Sequence, residues 1–178
     1  MIKLFTLFLG FCFLVTAHAQ QYLPVNEKST VKFAIKNFGI NTSGNFKGLE
    51  GTIEFDKASP EKSDFSISID AATVNTGNDS RDSHLREAAY FDVEKHPKIT
   101  FKSEKITGKG SDFTVSGKLT IKGITQKISI PFKSVANDGG MLFEGSFQLN
   151  RRDFNVGKNS AVLGDNVTVT LAVFAKKK

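Results

Sequence analysis

The stretch FTVSGKLTIKGITQKISIPF, residues 113–132, decides the fold class. Phe113, Val115, Gly117, Leu119 and Ile121 occupy alternate positions, with threonine, serine and lysine between them. Successive side chains of a strand point to opposite faces, so this pattern describes an extended segment with one apolar and one wet face. A helix would instead repeat its apolar residues every three or four positions. Gly123 breaks the run, and Ile128, Ile130 and Phe132 resume it. Two such runs across a glycine turn read as neighbouring strands.

The same alternation extends outward in both directions. Upstream lie Val31, Phe33 and Ile35; Gly51, Ile53 and Phe55; Phe65, Ile67 and Ile69; and Ile99 with Phe101. Downstream lie Phe143, Gly145, Phe147 and Leu149, then Val167, Val169, Leu171 and Val173. Turn residues separate these runs, as at Ala58-Ser59-Pro60 and Asn137-Asp138-Gly139-Gly140. About eight antiparallel strands with one apolar face must hide it in a closed barrel or a two-sheet sandwich. Closure removes exposed edges, which favours the barrel. The expected fold is all-β: an antiparallel eight-stranded barrel comparable with lipocalins, with one short helix between strands 3 and 4.

That helix falls in DSRDSHLREAAYFDVEKHPKITF, residues 79–101. Asp79 is the expected N-cap and Asp82 supports the first turn. Leu85, Ala88 and Ala89 follow at helical spacing, and Pro97 ends the segment because the residue before proline is pushed out of helical geometry. The run also gathers acids, Arg81, Arg86, His84 and His96, which raises catalysis and metal binding as alternatives. Ser83 and His84 are adjacent, so their side chains diverge on a helix. His84 and Glu87 make one ligand pair, too few for a structural metal site. No glycine-rich loop joins a strand to a helix as a nucleotide site requires. Arg81, Asp82 and Arg86 are therefore expected to pin the helix, with Leu85 and Phe91 packing it against one barrel end.

The first nineteen residues read as an export signal. Lys3 precedes an apolar run from Leu4 to Val15, and Ala17-His18-Ala19 supplies a cleavage site. The run is too brief to span a bilayer stably. Cleavage after Ala19 would leave residues 20–178 as a single domain, carried across the inner membrane and expected in the periplasm. Phe11 before Cys12 argues against a lipid anchor there. The signal takes the only cysteine with it, which excludes a disulfide, a thiol nucleophile and a cysteine metal site. It also takes Lys3, lowering the net charge from +6 to +5. The remaining cations are mainly scattered lysines, the pattern of a solvated surface rather than the arginine–aromatic clustering that grips nucleic acid. Transient contact with an anionic membrane surface stays open, helped by Lys176-Lys177-Lys178. Oligomeric state is left unspecified.

Phenylalanine dominates the apolar face. The chain has 17 and no tryptophan; four of these (Phe5, Phe8, Phe11 and Phe13) belong to the signal. A barrel lined by Phe33, Phe55, Phe65, Phe101, Phe113, Phe132, Phe143 and Phe147 could be a filled core or the wall around a long, thin apolar ligand. Composition leaves both readings open. Gly51, Gly117 and Gly145 on the same stripes would leave space in the lumen.

Four segments in order carry a resemblance. They are STVKFAIKNFGINTSGNFKGLEGTIEFD (29–56), R-D-x-H-L-R with Y-F-D and H-P-x-I-x-F-x-S (81–103), GKLTIKGITQ (117–126) and NRRDF (150–154). Together they are similar to the YceI-like, polyisoprenoid-binding family of exported bacterial proteins. The resemblance covers Ser29 to Ala175. It implies a lipocalin-like barrel that sequesters a polyisoprenoid or similar amphiphile, such as an isoprenoid quinone or a fatty-acid-derived lipid; beside the reading of the residues above, the expectation is no catalytic residues, no metal and no cofactor beyond the bound lipid. The expected wall then comprises the eight phenylalanines above with Ile35, Phe46, Ile67, Leu85, Phe91, Val115, Leu119, Leu149, Phe154, Val169 and Leu171. Asn150, Arg151, Arg152 and Asp153 are candidates for a rim that meets a polar head group; a corner held by side-chain-to-backbone hydrogen bonds is their other reading. An enzyme acting on a lipid-like substrate and a filled sandwich for envelope interactions are the alternative functions. Two positions depart from the family pattern: Asn37, where relatives often carry histidine, and Asn155, where glycine commonly follows N-R-x-D-F.

Overall fold

The computed structural model describes residues 19–178, so all of the expected export signal except Ala19 lies outside the described residues. The strands are β1 (Gln20–Pro24), β2 (Thr30–Asn37), β3 (Ile40–Phe55), β4 (Asp64–Asn75), β5 (Lys98–Lys109), β6 (Asp112–Ile121), β7 (Ile124–Asn137), β8 (Gly140–Asn150) and β9 (Leu163–Lys177). They follow the order β1-β3-β2-β9-β8-β7-β6-β5-β4, and β4 pairs back onto β3. Strands β2 to β9 thus form a closed eight-stranded antiparallel barrel. Continuity of the sheet around the ring rules out the sandwich. The short β1 fills the gap between β3 and β9 beyond the start of β2, pairing Gln20 with Phe55 and Pro24 with Ala175. The sequence reading missed this ninth strand because QQYLP is too short to alternate visibly.

Hairpin turns place β1, the β3–β4 connection and the β5–β6 and β7–β8 turns at one end. The β2–β3 turn, the β6–β7 turn and the two long connections, β4–β5 and β8–β9, lie at the other. At the first end five rings fill the lumen. Phe55 meets Phe113, Phe143, Phe132 and Phe65 with centroids 5.2 to 6.1 Å apart, mostly edge to face. That geometry sets the positive ring edge against a neighbour's negative face.

Alternation breaks where the barrel bends. On β3 the inward set passes from Gly44 and Phe46 to Leu49, Ile53 and Phe55, a change of parity at two register shifts. The backbone N–H of Lys47 there donates to Thr73 Oγ1 at 2.8 Å. On β5 the inward set passes from Ser103 to Ile106 across another shift, and Ser103 Oγ accepts the Phe65 N–H at 2.8 Å. Such bulges curve a sheet, and side chains satisfy the backbone groups that leave the ladder. These sites also correct the expectation for two glycines. A Cβ at Gly51 would run into Ser66 O, and one at Gly117 would meet Lys102 O and the Phe101 ring. Both permit close approach of a neighbouring strand; Gly145 alone of the three borders the lumen.

The helix α1 (Asp79–Arg86) lies between β4 and β5, the third and fourth strands of the expected set. Its N-cap is Asn78, whose side chain accepts the Arg81 N–H at 2.9 Å, and not Asp79. Asp82 is buried and turns toward the end of β4, accepting the N–H of Thr76 just beyond that strand at 2.9 Å. The helix stops at Arg86, so Ala88 and Ala89 fall in turns beyond it. Two anchors override the helix propensity of that stretch. Arg86 is tied to Ala72 O at 2.7 Å and Val74 O at 3.1 Å, and Phe91 N folds back to Leu85 O at 3.0 Å.

Candidate functional site

Between the aromatic plug and the long connections the barrel encloses a cavity of about 790 Å³. Ligand pockets of globular proteins run from about 300 to 1,000 Å³. Phe65, Phe132 and Phe143 form its floor, and alternating residues of β2, β8 and β9 make much of its wall. From Phe143 to Leu149 the wall rises about 20 Å along the strand at ~3.3 Å per residue, or about 15 Å along the axis at a typical strand tilt.

Every expected wall residue borders this cavity except Phe55 and Phe113, which sit in the plug. Phe46 packs on Phe33 at 5.5 Å and on Phe91 at 5.4 Å, so the β4–β5 connection contributes directly to the wall. The wall includes aliphatic residues left out of the expected set, among them Leu49, Ile69, Ile99, Ile130 and Val173. Ile69, Ile99, Ile130 and Val173 lie on the same alternating stripes as the expected residues. Thr76, Asn78, Ser80, Arg81 and His84, together with Lys158, Asn159 and Ser160, form a polar mouth. These come from connections, where no periodicity marks them.

Residues 150–153 behave as a corner held by side-chain-to-backbone hydrogen bonds. Asn150 Oδ1 accepts the Arg152 N–H at 2.9 Å and starts a 3-10 turn, Arg151–Phe154. Arg151 is 4% exposed; it borders the cavity, but its guanidinium is committed elsewhere. It donates to Gly164 O at 2.9 Å, Val156 O at 2.8 Å and Lys158 O at 3.0 Å, and pairs with Asp165 at 2.8 Å. A planar guanidinium with five donors suits this task, since it closes a loop on itself through backbone carbonyls. Asn150, Arg152 and Asp153 do not border the cavity. Gly157 N donates to Ala89 O at 2.9 Å, which joins the two long connections over part of the opening.

The two departures from the family pattern separate in space. Asn37 borders the cavity. Asn155 is exposed and has φ 52 and ψ 34. That left-handed conformation is one glycine adopts freely and asparagine tolerates better than most residues, so the substitution keeps the turn. Among the described residues no three histidine, cysteine, aspartate or glutamate side chains are grouped to hold a metal ion.

Comparison with known proteins agrees with this architecture. A UPF0312 protein of Pectobacterium atrosepticum is 30% identical over 152 residues, covering 80% of this chain and 78% of that protein. Protein YceI of Escherichia coli is 29% identical over 150 residues, with coverage of 80% and 78%. Among solved structures, Burkholderia cenocepacia BcnA superposes with a TM-score of 0.82 at 27% identity, over 86% of this chain and 99% of that one. A polyisoprenoid-binding domain from Saccharophagus degradans shares the fold at a TM-score of 0.71 and 17% identity, over 90% and 99%. The model of the YceI-like domain matches residues 22–175, and the chain belongs to that family.

Proposed function

We propose that this protein sequesters one long apolar amphiphile inside the barrel and acts as a carrier or store in the periplasm, without catalysing a reaction on it. The cavity carries this reading: an apolar space of about 790 Å³, stopped by aromatic rings at one end and open through polar groups at the other. Such a shape suits a molecule with a long tail and a small polar head. A polyisoprenoid, an isoprenoid quinone and a fatty-acid-derived lipid all fit that description. The S. degradans domain is described as polyisoprenoid-binding, which supports the first of these while its 17% identity limits the likeness to the fold.

Energetics support the reading. Each buried methylene contributes about 0.8 kcal/mol, so one five-carbon unit contributes about 3–4 kcal/mol at most. Immobilisation offsets several kcal/mol of that sum. A few buried units therefore suffice for binding at micromolar concentration or below. The test is native mass spectrometry of protein purified from its own host. A bound amphiphile is the expected result. Repeated recovery of an empty barrel that takes up no quinone, polyprenol or fatty amide would overturn the proposal.

A further inference from the structure

The β2–β3 turn presents an arrangement that folding does not explain. Phe38 and Gly39 occupy its two central positions with φ of 50° and 75°, between the paired Asn37 and Ile40. Two-residue hairpin turns with positive φ at both positions favour Asn-Gly or Asp-Gly, because a bulky side chain is strained there. Phe38 accepts this strain and gains no packing: it is 73% exposed, and Ile40 beside it is 72% exposed. Val162, 39% exposed on the β8–β9 connection, lies beside Phe38, its carbonyl accepting the Phe38 N–H at 2.9 Å. A local rule broken without compensation inside the fold points to function.

The position of this patch indicates its partner. Asn37 and Thr42 from the hairpin, Lys158 to Ser160 and Val162 from the adjoining connection, and Leu163 at the start of β9 border the cavity. The apolar tip is therefore continuous with the mouth. Exposed Lys36 and Lys158 flank it, while Asp165, the nearby acid on β9, is paired with Arg151. An apolar projection beside lysines matches the boundary of an anionic bilayer, where side chains enter the acyl region and ammonium groups meet phosphates. No described helix is long and apolar enough to cross a membrane.

We propose that Phe38, Ile40 and Val162 dock the open end of the barrel on an anionic lipid bilayer. The mouth then faces the acyl region, and an apolar ligand passes between membrane and cavity without crossing water. The transfer step rests on the carrier reading above; the docking surface does not.

The test compares the purified protein with the Phe38→Asn/Ile40→Thr double variant, which restores an Asn-Gly turn and so keeps the hairpin. Each floats with vesicles of phosphatidylcholine alone or of an equimolar phosphatidylcholine–phosphatidylglycerol mixture. The parent should partition onto the mixed vesicles and the double variant roughly tenfold or more weakly, the scale of withdrawing two large apolar side chains from an apolar phase. Lys36→Gln/Lys158→Gln should weaken binding to the mixed vesicles by a similar factor and leave phosphatidylcholine vesicles unaffected. Equal partitioning of parent and Phe38→Asn/Ile40→Thr would overturn the proposal. So would sedimentation showing that the parent self-associates through this patch and the variant does not. Uptake of N-phenyl-1-naphthylamine in vesicle-free buffer reads the cavity separately. Vesicle binding without uptake would sink the carrier reading and leave the docking surface intact.

Discussion

At the closed end of the barrel, rings from Phe55, Phe65, Phe113, Phe132 and Phe143 fill the lumen against one another. At the open end the same kind of alternating strand surrounds space, and the covering is made by polar groups of two long connections. The wall chemistry is similar in both halves, so hydrophobicity does not decide which half is filled. Neighbours do: a ring facing four other rings closes a gap, whereas Phe147 faces the cavity. Stability is accordingly expected to reside in the plug and ligand capacity in the wall.

The strongest test of that division is a matched pair. Phe55→Ala should cost about 3–5 kcal/mol, because it removes a fully packed ring whose surroundings cannot collapse. Phe147→Ala should cost well under half as much, because its ring already lacks partners on one side. The wall variant should change uptake of an apolar probe, whereas the plug variant should lower stability before it alters the mouth. Urea denaturation with probe titration checks both, and equal losses of stability would break the comparison.

Arg151→Ala comes next. Removing the guanidinium leaves Val156, Lys158 and Gly164 carbonyls without a donor and Asp165 without its partner, at a cost of about 3 kcal/mol. Hydrogen exchange should rise over residues 156–165 and stay unchanged in the plug. Arg151→Lys should recover little, since one ammonium cannot reach carbonyls arranged around a planar fork. Full recovery by lysine would show that charge alone suffices.

Asn155 probes the same corner more gently. Asn155→Val should cost about 1–2 kcal/mol, because a β-branched residue is disfavoured in the left-handed region. Asn155→Gly should stay within about 0.5 kcal/mol of the parent, its conformational ease offset by a freer unfolded chain. Thermal melts distinguish the two.

The smallest effect belongs to the outer wall. Lys118 and Lys127 each approach a Glu104 oxygen to 3.3 Å, and hydrogen bonds from Lys118 and then Lys127 hold this carboxyl below its ordinary pKa. A depressed carboxyl pKa stabilises the fold above the unfolded-state value, and the contribution disappears as pH falls through the folded value. Glu104→Gln should therefore lower the melting temperature slightly at neutral pH, less in high salt and not at all in acid. A loss that persists in acid would mean that packing, not charge, is responsible.

Much of the wall was legible because an inward position announces itself locally. Val115, Leu119, Phe147 and Leu149 each sit between polar neighbours, and each borders the cavity. The mouth was much less legible. Arg151 in N-R-R-D-F was a rim candidate with an architectural alternative, and only its contacts with residues 156 to 165 distinguish the two. Asp79 looked the better N-cap until Asn78 proved to hold the Arg81 amide. Nothing local marks Phe38 and Ile40 as exposed, since an apolar residue beside a glycine turn can as easily be buried.

The amino-acid sequence alone determined that this chain is a set of antiparallel strands with one apolar face and one helical interruption; that the sheet closes into a ring was decided by the tertiary pairing. Alternation is a property of consecutive residues, and a sheet with one apolar face must close or pair to hide it. Only the tertiary structure decided which phenylalanines fill the lumen and which line a void, and where bulges change the parity of a strand. Those outcomes depend on rings and backbone atoms brought together from distant parts of the chain, and no local pattern encodes whether the space between them is occupied.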